Sequence, residues 1–255
     1  MADGALLTLI EDLARGDRPR LIGVAGAQGS GKTTLARAAA ERLGGVALSL
    51  DDVYLTRAER GVLAETVHPL LAVRGPPGTH DLDLADRVID DLLAGRNVAL
   101  PRFDKLRDDR ARPEPFEGVA KVVVMDGWCL GAIAQDEAAL AAPINTLERD
   151  HDPDGRWRRR ANAMLGGSYA RFFRRFDAIV HLTAPDFGAV LDWRCEQEAG
   201  LLGLDPGALP PDRRDELAAF IQHFERITRH MLAGGVAATA TVRLDARRTV
   251  LCIEP

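Results

Sequence analysis

The stretch R-L-I-G-V-A-G-A-Q-G-S-G-K-T-T-L-A-R-A-A-A-E-R-L-G-G (20–45) decides the fold of this 255-residue chain. After Arg20, the next six residues form an apolar run ending in glycine, the pattern of a buried strand. T-T-L-A-R-A-A-A-E-R-L (33–43) has the composition of a helix, and Gly44-Gly45 supplies the residue that ends one. V-A-L-S-L (46–50) then reads as a second buried strand. Strand, helix and strand at this spacing make a βαβ unit, whose crossover requires a parallel sheet with both faces covered. The turn between the first strand and the helix, Gly26 to Thr33, fits the pattern G-x-x-x-x-G-K-[ST]. Its glycines let backbone N–H groups turn inward around a phosphate, and the helix that follows points its positive end at the same charge.

Outward from this unit the same alternation continues. Leu6, Leu7, Ile10 and Leu13 are helically spaced within residues 3–14. A helix is expected over about 82–93, ahead of V-A-L-P (98–101), and A-K-V-V-V-M-D (120–126) is a strongly apolar strand. A basic helical stretch covers 156–176, a buried strand 178–182, helices 187–200 and 211–232, and a last strand 241–244. Five core strands interleaved with helices predict an α/β fold: a single three-layer α/β/α domain over 1–255 around a doubly wound, parallel, five-stranded sheet. The segments 52–118 and 145–165, polar and rich in Pro, Arg and Asp, read as insertions into that core.

A net charge of −5, with no like-charged block longer than Arg158-Arg159-Arg160, argues against a nucleic-acid partner. No apolar run approaches the roughly 20 residues of a membrane helix, and acids stand near the N-terminus where a signal peptide carries bases. The expectation is a cytoplasmic protein with no membrane association and no evident protein partner. Cys129, Cys195 and Cys252 are odd in number and widely spaced, which argues against a disulfide frame or a zinc site. Only three of the 33 cations are lysines, Lys32, Lys105 and Lys121.

The phosphate loop implies ATP or GTP. Gly26, Ala27, Gln28, Gly29, Ser30, Gly31, Lys32, Thr33 and Thr34 would hold the nucleotide, with Lys32 reaching the β- and γ-phosphates and Thr33 ligating Mg²⁺. The Asn/Thr-Lys-x-Asp motif that reads guanine is absent. Asp126 ends its strand where an acid would hold Mg²⁺, yet Gly127-Trp128 follows instead of the glutamate that activates water in motor-type ATPases. A substrate hydroxyl is then the expected nucleophile, and it needs a base. S-L-D-D-V-Y (49–54) brings Asp51 and Asp52 to a strand end beside the loop, and strand alternation directs only one of them into the cleft.

Together with the loop, S-L-D-D-V-Y-L-T (49–56), R-G-P-P-G-T-H-D (74–81), P-R-F-D-K (101–105), M-D-G-W-C-L-G (125–131) and L-D-W-R-C-E-Q-E (191–198) resemble the D-glycerate 3-kinases of the plant and fungal type and their bacterial kinase-like relatives. These stand in the P-loop kinase group of uridine kinase, phosphoribulokinase and pantothenate kinase. The resemblance spans about 20–232. It implies a P-loop kinase fold with a substrate-side insertion at about 52–118 and a lid at about 190–215, transferring phosphate from ATP to a small hydroxylated molecule. For the glycerate kinases that acceptor is the 3-hydroxyl of D-glycerate. The same resemblance favours Asp51 over Asp52 as the base. Val53 and Asp126 depart from the D-D-F-Y and E-G-W frequent in the family, altering one pocket wall and shortening one carboxylate. Kinases of uridine, pantothenate or phosphoribulose type are the neighbouring readings. An ATP-binding regulatory switch without an acceptor is the reading of another class.

On the acceptor side the implied contacts are Asp52, Tyr54, Arg74, His80, Asp81, Asp104 and Lys105. Locally, Asp81 equally suits a helix N-cap. Lys105, Arg107 and Arg110 supply the positive charge a substrate carboxylate requires. In the lid, Arg194 would close over the transferring phosphoryl group, although an Arg194–Glu198 pair at i, i+4 is the plain alternative. Arg158 to Arg160 read as a solvated basic face. His223 and His230 read as packing or surface residues, and Trp128 and Trp157 as core residues that could also line the pocket.

Overall fold

The computed structural model describes residues 3–205 and 207–255. In chain order its elements are α1 (Gly4–Leu13), β1 (Arg20–Gly26), α2 (Lys32–Leu43), β2 (Val46–Ser49), α3 (Arg57–Thr66), α4 (Leu82–Leu93), β3 (Val98–Leu100), β4 (Phe103–Asp104), β5 (Asp109–Arg110), β6 (Glu114–Phe116) and β7 (Val122–Gly127). The second half adds α5 (Thr146–His151), α6 (Arg156–Met164), α7 (Ala170–Phe173), β8 (Ala178–Thr183), α8 (Phe187–Leu201), α9 (Pro211–Leu232), β9 (Ala240–Leu244) and β10 (Val250–Glu254).

The main sheet runs β10-β9-β8-β1-β7-β2, and the five expected strands are mutually parallel. A sixth, β10, extends the sheet by antiparallel pairing with β9. It differs from the expected five strands because V-L-C-I-E is an edge strand, with Leu251 and Ile253 exposed rather than forming a buried run. The connecting turn carries its signal instead. Asp245 receives the N–H groups of Arg247 and Thr249, both at 2.8 Å.

Residues of β1 alternate between two cores, as its pleat requires. Ile22 and Val24 face a layer formed by α1, α2 and α8, including Ile10, Leu35, Ala36 and Val190. Leu21 and Ala25 face α4, α7 and part of α9, including Val88, Ile89, Phe172 and Ile227. Part of 52–118 therefore belongs to the layered core: α4 buries Ala85, Val88, Ile89 and Leu92. The rest of that segment forms two small ribbons, β3 with β6 and β4 with β5, outside the main sheet.

The basic stretch 156–176 is not one continuous helix. A π-helical turn at Leu165–Tyr169, containing Gly166 and Gly167, separates α6 from α7. Arg158 also departs from the solvated face expected of it. Its guanidinium is 2 % exposed and donates to Asp152 Oδ2 at 2.9 Å, to the Asp152 carbonyl at 2.6 Å and to the Leu140 carbonyl at 2.8 Å. An acid six residues upstream, folded back by a tight turn, makes that burial tolerable.

Among the described residues no helix is long and apolar enough to cross a membrane. A second buried pair ties α5 to α9. Arg226 donates to both oxygens of Glu148, at 2.7 and 2.6 Å, and to the carbonyls of Ala139 and Ala142. Removing one partner strands a buried charge, so Glu148→Ala is expected to cost about 3–5 kcal/mol in denaturant unfolding, while a Glu148→Leu/Arg226→Met double variant recovers a large part of the loss.

Candidate active site

The glycine-rich turn leaves β1 at Gly26 and enters α2 at Lys32, with Gly31 as the N-cap at φ 89°. Gly26 to Thr34 therefore form one continuous cradle at the head of the sheet. Gly29, at φ +75°, is pressed against α8: a Cβ there would lie 2.6 Å from Cβ of Trp193 and 2.9 Å from its backbone. The loop is also held from the β9–β10 turn. Arg248 Nε donates to the Gly29 carbonyl at 2.6 Å, its guanidinium lies 5.1 Å from the centroid of the Trp193 ring, and its Nη1 pairs with Glu196 at 2.7 Å. Arg248 takes φ 66°, a conformation rare for a side-chain-bearing residue.

Lys32 Nζ reaches back to the Ala27 carbonyl at 3.3 Å, so the ammonium lies within the cradle. Thr33 Oγ1 donates to Asp126 Oδ1 at 3.0 Å, and Ser49 Oγ donates to the same oxygen at 3.3 Å. Strand register produces this meeting, since Asp126 is level with Val24 of β1 and Ser49 of β2. Burial pushes the Asp126 carboxyl up to about 6; Lys32 and the two hydroxyls oppose the rise, and the negative charge of Asp51 adds to it. Burial likewise lowers Lys32, against the pull of Asp126 and Asp51. A threonine hydroxyl and a carboxylate, both hard oxygen donors, are a set that fits Mg²⁺.

Asp51 and Asp52 do not lie on β2. The strand stops at Ser49, whose Oγ accepts from Asp51 N at 3.3 Å, and a 3₁₀ turn spans Leu50–Val53. This turn, rather than strand alternation, sends the two carboxylates apart. Asp51 Oδ1 accepts from the Tyr54 hydroxyl at 2.7 Å, and Oδ2 from Lys105 Nζ at 2.5 Å. Burial would raise its pKa, but Lys105, Lys32 and the Tyr54 hydroxyl outweigh that and hold the carboxyl well below the usual carboxylate range. Asp52 instead accepts from Phe103 N at 3.2 Å and Arg102 at 3.3 Å, tethering β4.

Other residues of the expected acceptor side divide in the same way. Asp81 caps α4, accepting from Leu84 N at 2.9 Å, and also pairs with Arg110 at 2.8 Å. Asp104 closes the β4–β5 turn, accepting from Leu106 N and Arg107 N. Arg74 pairs with Asp108 at 2.5 Å and lies over the Phe103 ring. Arg194 makes the i, i+4 pair with Glu198 at 2.8 Å, while its Nη1 is buried without a hydrogen-bond partner among the described residues. Trp128 is a core residue whose indole donates to the Gly75 carbonyl at 3.1 Å.

His80 and Tyr54 come together through an isolated bridge, with Asp81 N donating to the Val53 carbonyl at 2.7 Å and the two rings stacked at 4.6 Å. Tyr169, which sequence reasoning did not single out, lies 2.6 Å from His80 Nδ1 through its hydroxyl. Ser49 and Arg248 were missed as well. Ser49 was visible only as a neighbour of the Asp51-Asp52 pair, and Arg248 belongs to the hairpin that the apolar pattern concealed.

No protein-family model matches the chain. It is 28% identical over 229 residues, 81% of its length, to the uncharacterized kinase mug58 of Schizosaccharomyces pombe, of which the match covers 79%. A uridine kinase of Deinococcus deserti is 32% identical over 114 residues, 44% of this chain and 53% of that one. In structure the chain is similar to the D-glycerate 3-kinase of Cryptococcus neoformans, with a TM-score of 0.76 and 23% identity across 99% of both chains. That likeness gives the P-loop kinase fold.

A methyl group at Gly29 would meet Trp193 and also force a left-handed backbone on an L-residue. Gly29→Ala is therefore expected to raise the Kd for ATP at least tenfold and to destabilise by about 2–4 kcal/mol. Gly31→Ala, whose added Cβ meets nothing within 4 Å, should lower the melting temperature less. Nucleotide titration and thermal unfolding of both variants check this.

Proposed function

The chain is an ATP-dependent P-loop kinase, and we propose that it phosphorylates a primary hydroxyl of a small carboxylate-bearing metabolite, D-glycerate to 3-phosphoglycerate. One observation carries the reading: a single carboxylate, Asp51, is held ionised beside the phosphate loop by Lys105 and the Tyr54 hydroxyl. The resemblance to D-glycerate 3-kinases in five segments beyond the loop, and the similarity of fold to a protein of that name, support the acceptor.

In this mechanism the cradle holds the β- and γ-phosphates through its backbone N–H groups and the Lys32 ammonium. Thr33 and Asp126 would hold Mg²⁺, which when bound neutralises phosphate charge. The acceptor hydroxyl stands at Asp51, which takes its proton as the bond to phosphorus forms. A carboxylate kept far below its usual pKa is a weak base. It therefore receives the proton late, once the hydroxyl has become acidic through bonding to phosphorus, as suits a loose transition state. Lys105, with 58% of its side chain exposed, is free to reach from Asp51 towards the substrate carboxylate, while Lys32 and the Tyr54 hydroxyl still lower Asp51. Arg194, next in the chain to the Trp193 that packs on Gly29, carries the unpartnered Nη1 and would turn it to the transferring group.

Coupled ADP-release assays over D-glycerate, uridine, pantothenate and ribulose 5-phosphate test the acceptor; turnover with D-glycerate above the others is expected. ADP release that depends on no hydroxyl acceptor would favour a nucleotide-driven switch. Asp51→Asn is expected to lower kcat about 10²-fold or more with ATP affinity within twofold, whereas Asp52→Asn, which only loosens β4, changes kcat far less. Equal losses in the two variants would remove Asp51 from the role of base.

A further inference from the structure

We propose that Tyr169 is a positioning residue: it fixes His80 in the tautomer whose Nε2–H is a hydrogen-bond donor, so that the acceptor site selects a substrate presenting a lone-pair oxygen, a carboxylate or carbonyl, beside its reacting hydroxyl. This rests on the reading that the Asp51 side of the cleft receives the acceptor.

Counting protons leads to the tautomer. The Gly78 N–H donates to the Tyr169 hydroxyl oxygen at 3.0 Å, and that hydroxyl lies 2.6 Å from His80 Nδ1. A phenol has one proton to give. If Nδ1 carried hydrogen, the Tyr169 oxygen would accept twice and its own proton would be left unpaired in a residue that is 0% exposed. With Nδ1 as acceptor the Gly78 N–H, the Tyr169 proton and Nδ1 are all paired; the ring proton belongs to Nε2, and that one donor is left over instead of two groups, the Tyr169 proton and the Nε2 lone pair. The ring is also neutral, because burial lowers His80 to about 4 despite the negative charge of Asp51.

Nε2 is then a buried donor without a partner among the described residues, in a side chain only 6% exposed. Asp51 is the charged group acting on this ring, and its oxygens already receive Tyr54 and Lys105. The imidazole stacks on Tyr54, the residue that donates to Asp51, which puts the ring on the Asp51 side of the cleft. An orphaned donor at that place is costly in the free protein and is repaid by a ligand oxygen. A neutral N–H donates to a carboxylate or carbonyl oxygen and gains nothing from an ammonium or an amide N–H, which gives the site its discrimination.

Tyr169 reaches this place through a feature that costs the helix regularity. It is the last residue of the π-helical turn that interrupts α6 and α7, and π turns recur where a side chain must be re-aimed at a site.

The test has two arms. In free wild-type protein, long-range ¹H–¹⁵N spectra between pH 6 and 8 should show His80 with a protonated Nε2 and an unprotonated Nδ1, the signal being assigned by its loss in His80→Gln. A protonated Nδ1 or a cationic ring would overturn the proposal, and this arm needs no substrate. In Tyr169→Phe, which keeps the ring, the tautomers should mix, and KM for the acceptor should rise about tenfold while KM for ATP stays within twofold. Unchanged acceptor KM, or an equal rise in both constants, would show Tyr169 to be packing alone. If the wild type fails to turn over D-glycerate, the acceptor assignment falls while the tautomer result stands by itself, and the KM comparison uses whichever hydroxyl acceptor supports ADP release.

Discussion

Two carboxylates must share one poorly hydrated corner of the molecule, and the head of the sheet is organised around that constraint. Asp126 arrives by strand register and Asp51 by the turn that follows β2. Their mutual repulsion is resolved by unequal treatment. Asp51 receives an ammonium and a phenol, so it stays ionised well below the ordinary range. Asp126 receives two neutral hydroxyls and is pushed up to about 6 by burial, with Asp51 adding to the rise. Environments that drive two acids apart in this way assign them different work. In the proposed reaction one is a proton acceptor, and the other a ligand whose charge a divalent cation completes. Lys32 feels both carboxylates and is itself lowered by burial.

How much of this was legible in the sequence follows from the kind of constraint involved. The phosphate loop was legible because its conformation demands glycine, and glycine at fixed spacing is a written requirement. Asp126 was legible because a lone acid ends an apolar strand. The choice between Asp51 and Asp52 was not settled by pattern: the alternation rule presumed a strand, whereas Ser49 caps a 3₁₀ turn there. Asp81 and Asp104 have the residue type of binding groups, yet they are spent on a helix cap and a tight turn, which identical local sequences also favour. Tyr169 and Arg248 had no local signal, because their partners lie 89 and 219 residues away. Contacts of that separation are made by topology and leave no periodicity behind.

The cation usage of the chain acquires a physical sense in this frame. Arginines hold the scaffold of the acceptor side: Arg60 and Arg74 on Asp108, Arg102 on Asp52 and Glu114, and Arg110 on Asp81. A planar fork satisfies several acceptors at once and suits bonds that must persist. Two of the three lysines, Lys32 and Lys105, stand instead at Asp51 and the phosphate loop. In the proposed reaction, a compact ammonium on a flexible stem suits contacts that are exchanged for a substrate's phosphate or carboxylate during each turnover. An arginine at position 105 would grip Asp51 through two N–H groups and hold it in the resting state, so the fixed and the exchangeable parts of the site are separated by the choice of cation.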